Sequence, residues 1–267
     1  MSAEPPDGRD PPAPASARSS ARRRTRRAPV VLLPPSEGKA TGGRGRPWAP
    51  GAGALPQLDE ARAAVLAALG DGVAEAPTMR AIDRYTGVLY GQLDWSSLTP
   101  AAKRLGSASV LIASGLWGMS APADPRPHYR LKASASLAPL GRLTTWWRPQ
   151  LTAALAGHLD GRLVWDLLPN EHAALWTPAE VPYGRRVTVR FLDRHDRTVS
   201  HWNKLLKGAL VRHILEERPA GPEELAGWEH PSGYRVDLIA SRLDDDPALL
   251  VLRETGAVRT VRSFLAP

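Results

Sequence analysis

The sequence predicts an α+β fold, a single domain in which a mixed β-sheet is flanked by helices. Three observations carry that expectation. Short apolar runs of strand length, at residues 30–33, 109–113, 163–168 and 187–192, are interspersed with longer stretches whose apolar residues recur at helical spacing. Their succession lacks the regular strand–helix–strand rhythm of an all-parallel sheet, which favours a mixed one. Hydrophobic residues make up 43% of the 267-residue chain, enough for one substantial core, and no stretch after residue 56 has the composition of a domain linker.

Residues 1–28 are rich in Pro, Ala, Ser and Arg and almost free of large apolar side chains. They are expected to form a disordered basic tail, leaving residues 29–267 as the folded domain. Order is expected to begin with the strand at 30–33, which runs directly into the loop Pro34-Pro35-Ser36-Glu37-Gly38-Lys39. After a Gly/Pro-rich connection, residues 58–69 read as an amphipathic helix stopped by Gly70. Residues 85–90 are an aromatic-rich segment around Gly87. The strand at 109–113 leads into Ser114-Gly115-Leu116-Trp117-Gly118. Trp147, Leu151 and Leu155 mark a helix over 144–159, closed by Asp160-Gly161. The strand at 163–168 is followed by Asn170-Glu171-His172, and the strand at 187–192 by a polar turn at 193–197. Ser200 is positioned to cap a helix running to Glu217. Two closing strands, 233–239 and 249–253, flank an acidic turn at 244–246.

Composition removes several function classes. The chain has no cysteine, which excludes disulfides, a thiol nucleophile, iron–sulfur clusters and thiolate zinc sites. Its seven His are scattered, with no helical His pair beside a carboxylate, so no metal site is expected. No cofactor motif is legible either; the 34–39 loop lacks the glycine–lysine spacing of a phosphate-binding P-loop. No run approaches the ~20 apolar residues needed to span a bilayer. The five-residue apolar run at 29–33 is too short for an export signal, and a cytoplasmic location is expected. The formal charge is +8, but residues 1–28 hold seven Arg against three acids, and the remainder 28 basic against 24 acidic residues. The domain itself is only mildly basic, so an anionic partner requires a local patch.

Such a patch is suggested at several places. The 34–39 loop leaves a buried strand and offers Ser36, Glu37 and Lys39, with Gly38 permitting close backbone approach. A surface loop carrying a Glu–Lys pair is the plain alternative. Tyr129 and Arg130 pair a flat ring with a guanidinium fork suited to phosphate or carboxylate. In the 200–217 helix, Trp202, Leu205, Leu206, Ala209, Leu210 and Ile214 form an apolar stripe, and His201, Lys204, Lys207, Gly208 and Arg212 fall on the opposite side. No acid interrupts that face before Glu216, and a cationic face with a glycine for close approach suits phosphates.

Taken in order, these blocks resemble the YaaA family of bacterial peroxide-stress proteins, particularly its actinobacterial members. Residues 31–39 resemble the family's opening strand and loop, and Tyr85-Thr86-Gly87 its YTG block. Ser114-Gly115-Leu116-Trp117-Gly118 with Tyr129-Arg130-Leu131 resembles its SGLYG and YRL blocks. Lys204, Lys207 and Gly208 resemble the late lysine-rich helix, and Gly233-Tyr234 a closing glycine–aromatic pair. The resemblance implies a positively charged cleft, DNA binding, and survival of peroxide through limiting iron-dependent damage. It implies site roles for Lys39, Tyr85, Thr86, Gly87, Tyr129, Arg130, Lys204 and Lys207. The chain departs from the family in a shorter region before Tyr85, in Lys207 where the family has Arg, and at residues 168–172. Two functions stay open at this level. One is a DNA-binding stress protein; the other is an enzyme acting on a nucleotide-like or other anionic small molecule, with Glu37, Lys39 or Lys204 as candidate catalytic groups.

Overall fold

The structure, a computed structural model, describes residues 27–70, 72–199 and 203–256. Nearly all of the tail expected over 1–28 therefore lies outside the described residues, as do Ser200, His201 and Trp202. Twelve strands occur among the described residues. They are β1 (Val30–Leu33), β2 (Thr78–Arg80), β3 (Val110–Ser114), β4 (Gly118–Ser120), β5 (Pro125–Pro127), β6 (Ser136–Leu137), β7 (Gly141–Arg142), β8 (Leu163–Asp166), β9 (Arg185–Leu192), β10 (Glu229–His230), β11 (Tyr234–Val236) and β12 (Ala248–Glu254). The helices are α1 (Asp59–Leu69), α2 (Ala81–Arg84), α3 (Val88–Leu93), α4 (Pro100–Ser109), α5 (Leu143–Leu159), α6 (Asn170–Ala173) and α7 (Asn203–Glu217).

Eight strands form one mixed sheet in the order β10-β11-β12-β9-β8-β1-β3-β4. Its middle, β12-β9-β8-β1-β3, is parallel throughout, and the antiparallel pairings are confined to the two ends. Strand β1 sits deep inside, with Val31 opposite Val110 on one side and Trp165 on the other. This explains why Val30–Leu33 is apolar without alternation: all four residues are buried, because helices cover both faces of a parallel strand.

The two faces make two cores. Val31, Leu33, Ile112, Trp165 and Phe191 pack against α3, α4 and α7 through Leu89, Leu93, Ala102, Leu210 and Ile214. Val30, Leu32, Leu111 and Val164 pack on the opposite face against α1 and α5 through Val65, Trp147, Leu151 and Leu155. Trp117, Trp147, Trp165 and Trp176 are among the largest fully buried side chains, so Trp occupies core positions as its abundance suggested. Buried arginines tie the loops to this frame. Arg62 ion-pairs with Asp59 at 2.7 Å and donates to the carbonyls of Ala54, Leu55, Trp117 and Met119.

The sequence-predicted strands and long helices all appear, with shifted ends. The strand expected over 233–239 stops at Val236, because the Asp237 carboxylate accepts from the backbone of Ile239 and Ala240 and folds the chain into a turn. Helices α3 and α4, the β2–β5 ribbon and β4 were not expected; they are short, and their apolar residues are too few to display a period.

Candidate functional site at the carboxyl ends of β1, β3 and β8

The chain leaves β1 toward β3 on one side and returns from β3 to β8 on the other. The carboxyl end of β1 is thus a topological switch point, where open α/β sheets form ligand crevices. The 34–39 loop occupies this place. It is held to the segment after α2 by a Lys39–Tyr85 bridge, by Thr86 N–H donating to the Gly38 carbonyl at 3.1 Å, and by Ala40 N–H donating to the Arg84 carbonyl. Ser36 Oγ accepts from Gly87 N–H at 3.0 Å and itself donates to the Gly38 carbonyl. Gly87 is required there, since a β-carbon would lie 2.7 Å from Ser36 Cβ. Tyr90 secures the loop from below by donating to the Pro34 carbonyl at 2.7 Å.

Lys39 Nζ donates to the Ser36 carbonyl at 2.9 Å and lies 4.6 Å from the centre of the Tyr129 ring and 5.7 Å from that of Tyr85. Burial pulls its pKa below the ordinary lysine value; Glu37 opposes that shift, and the nearby Arg130 and Arg84 reinforce it. Arg84 is fully buried and donates to the carbonyls of Ala40, Gly42 and Arg126. Among the described residues no carboxylate pairs with it, so its charge stays uncompensated beside the loop. His128 is held below its usual pKa by burial first, and then by Arg84, Lys39 and Arg130. Tyr129 and Tyr85 share a hydrogen bond of 2.7 Å, and Tyr129 also meets Ser114 Oγ at 2.6 Å. Glu37, Thr86 and Arg130 are exposed around this mouth.

The neighbouring end of β8 adds a second cluster. Lys207 Nζ donates to the Leu167 carbonyl at 2.9 Å, and burial lowers its pKa to about 8 even though Asp166 pulls the other way. Asp166 is ion-paired to Arg186 at 2.8 Å. Burial also lowers the His172 pKa, with Glu171 opposing and Lys204 adding to the shift, so Lys204 and His172 are electrostatic neighbours. Glu171 accepts from Ser134 N–H at 3.1 Å, linking α6 to the strand of chain that carries His128 and Arg130.

Comparison with known proteins bears on this arrangement. A family model described as peroxide stress protein YaaA matches residues 54–239. A UPF0246 protein of Streptomyces coelicolor is 40% identical over 238 residues, covering 78% of this chain and 92% of that protein. The chain belongs to the YaaA family. UPF0246 proteins of Corynebacterium efficiens and Corynebacterium glutamicum are 35% and 34% identical, over 80% and 78% of this chain and 96% and 94% of theirs. The family-model match starts after the 34–39 loop, so the part of the site contributed by Ser36, Glu37 and Lys39 stands on its geometry.

Within this YaaA-family fold, Ser36, Glu37, Lys39, Tyr85, Thr86, Gly87, Tyr129 and Arg130 come together at the end of β1. Lys204 lies at the second cluster. The uniform cationic face expected on α7 does not form. Lys207 is buried, and Arg212 pairs with Glu216 at 2.8 Å while donating to Ser97 and to the carbonyls of Leu93 and Asp94. Gly208 does permit close approach, but to protein: a β-carbon there would lie 2.3 Å from the Leu89 carbonyl of α3. The reason is that α7 is covered by α3 on one side and the sheet on another, leaving little free face. His201 lies outside the described residues. Sequence reasoning missed Ser114 as a polar partner, Arg84, His128 and His172. Of these, His128 and His172 flank recognised blocks and carry a signal; the buried Arg84 has none.

The larger concavities lie elsewhere. One of about 450 Å3 is lined by Arg235, Asp237, Leu238, Ile239 and Arg253, and another of about 410 Å3 by Tyr183, Glu223 and Asp244–Asp246. Neither contains a residue of the strand-end site, whose case rests on its chemistry.

Proposed function

We propose that this YaaA-family chain holds a phosphate- or carboxylate-bearing small molecule at the carboxyl ends of β1, β3 and β8, with Lys39 as the central cation. One observation carries the reading. Three cations, Lys39, Arg84 and Arg130, gather at the topological switch point, and Glu37 is the one acid acting on Lys39. Such an excess of buried and half-buried positive charge is costly unless an anion completes it. The ligand class agrees with the nucleotide-like substrate raised from the sequence. In that role Lys39 neutralises the anion, Arg130 supplies a fork at the rim, and Lys204 meets a more distant group. Glu37 is then the acid–base candidate nearest the cation.

Thermal unfolding against a panel of nucleotides and polycarboxylates tests this. A stabilising anion is expected, with the shift abolished in Lys39→Ala and reduced in Lys204→Ala. No shift with any member of the panel rejects the reading.

A second reading is DNA binding in a protein that limits iron-dependent damage under peroxide stress, as the family description suggests. It is favoured by the exposure of Arg130, Lys132 and Lys204 near the same strand ends. It predicts duplex affinity that falls steeply with salt and weakens with Lys204→Ala regardless of sequence. Salt-insensitive binding counts against it. In a strain lacking the gene, restoration of peroxide resistance by the wild type but not by Lys39→Ala would place the strand-end site in that physiology.

A further inference from the structure

Three buried hydroxyls form a chain between the two cores. Ser114 ends β3, Tyr85 belongs to the core on one face of the sheet, and Tyr129 to the core on the other. Their oxygens are linked at 2.6 Å (Ser114 to Tyr129) and 2.7 Å (Tyr129 to Tyr85). The direction of the hydrogens follows from counting lone pairs. Ser114 Oγ accepts from Leu116 N–H and Trp117 N–H, both at 3.1 Å, which occupies its two lone pairs. Its own hydrogen therefore goes to Tyr129. Tyr129, accepting there, donates to Tyr85. Tyr85 accepts, and its hydrogen is left over: among the described residues its hydroxyl has no second partner. Yet Tyr85 is only 2% exposed, and a buried donor without an acceptor is costly. The contrast with Tyr90 is direct, because that neighbouring phenol spends its hydrogen on the Pro34 carbonyl.

We infer that Tyr85 is a ligand-binding hydrogen-bond donor, held in the donating sense by Ser114 and Tyr129, and that it recognises an oxyanion bound beside Lys39. An acceptor-only oxygen satisfies the leftover hydrogen and the Lys39 charge together, whereas a hydroxyl or amine ligand satisfies at most one. Burial raises the pKa of both phenols, so they stay protonated donors at neutral pH. The inference rests on the proposed anion site and adds to it a specificity determinant: the ligand must place an oxyanion, not merely negative charge, at the Tyr85 hydroxyl.

The test uses the full chain, with pyrophosphate and citrate as separate probes to distinguish a phosphoryl from a carboxylate oxygen. Tyr85→Phe is expected to weaken the stabilising probe about tenfold or more while Tyr90→Phe changes it little. With 13Cζ-labelled tyrosine, the chain shows five resonances, and the Tyr85 signal in the wild type should move on titration of that probe while Tyr183 stays still. This second measurement holds even if Tyr85→Phe folds poorly. Undiminished affinity in Tyr85→Phe together with a loss in Lys39→Ala overturns the inference and leaves the anion site standing. A Tyr85 resonance unmoved at saturation overturns it as well, and no stabilisation by either probe overturns both.

Discussion

Lys39 and Lys207 show how position alone separates two lysines. Lys39 stands half-buried over two aromatic rings with other cations close by, so its pKa falls mainly through burial. Anion affinity at this site should decline as pH rises, starting below the range of a free lysine; titrating affinity from pH 7 to 10 checks this. Lys207 is 8% exposed and titrates at about 8. An unfolded lysine titrates near 10.4, so between these values the unfolded chain binds more protons than the folded one, and stability rises with pH. Comparing urea unfolding of the wild type with that of Lys207→Met isolates the effect. The wild type should gain up to ~3 kcal/mol relative to the variant between pH 8 and 10.4. A flat difference would show that the ammonium reaches solvent. Neither behaviour was legible from sequence, where both are a lysine next to a glycine.

At the scale of elements, α7 carries the largest revision. Its apolar residues Leu205, Leu206, Leu210 and Ile214 point to the core as their spacing requires. Its other side is not solvent, because α3 lies across Gly208. Helix α3 is six residues long and begins at the YTG block, too short for a periodic signal. The cations of α7 were thus read against water when their environment is another helix, a carbonyl and two acids. Gly208→Ala should force α3 and α7 apart and cost about 1–3 kcal/mol, seen as a lower urea midpoint with unchanged slope. An unchanged midpoint would mean that α3 shifts freely. The 34–39 loop, by contrast, was placed correctly at a strand end. What the loop meets there, Tyr85 and Tyr129 across two cores, depends on contacts between residues about 50 and 90 positions away in sequence.

Across the whole molecule, the parallel middle of the sheet is enclosed on both faces and both sides, whereas β10 and β11 close one end with a few residues. Amide exchange should follow this gradient. The amides of Val31, Leu33 and Ile112 are expected to exchange only by global unfolding, and those of β11 by local opening. Equal protection at both places would deny the edge its independence. The site sits at the protected end of this gradient, since it is built on β1, β3 and β8. Its backbone supports are therefore rigid, which suits a preorganised anion site.

The amino-acid sequence by itself determined the local features: which stretches are strands and long helices, the mixed-sheet α+β class, the absence of thiol chemistry, and kinship with the YaaA family. These depend on residue type and short spacings, which the chain displays directly. Only the tertiary structure decided which cations share a site and which are spent on protein partners, because charge compensation and burial are properties of contacts between distant segments. Sheet order brought β1 between β3 and β8, and with that one arrangement Lys39 met Tyr129 and Arg84 while Lys207 was turned inward to the Leu167 carbonyl.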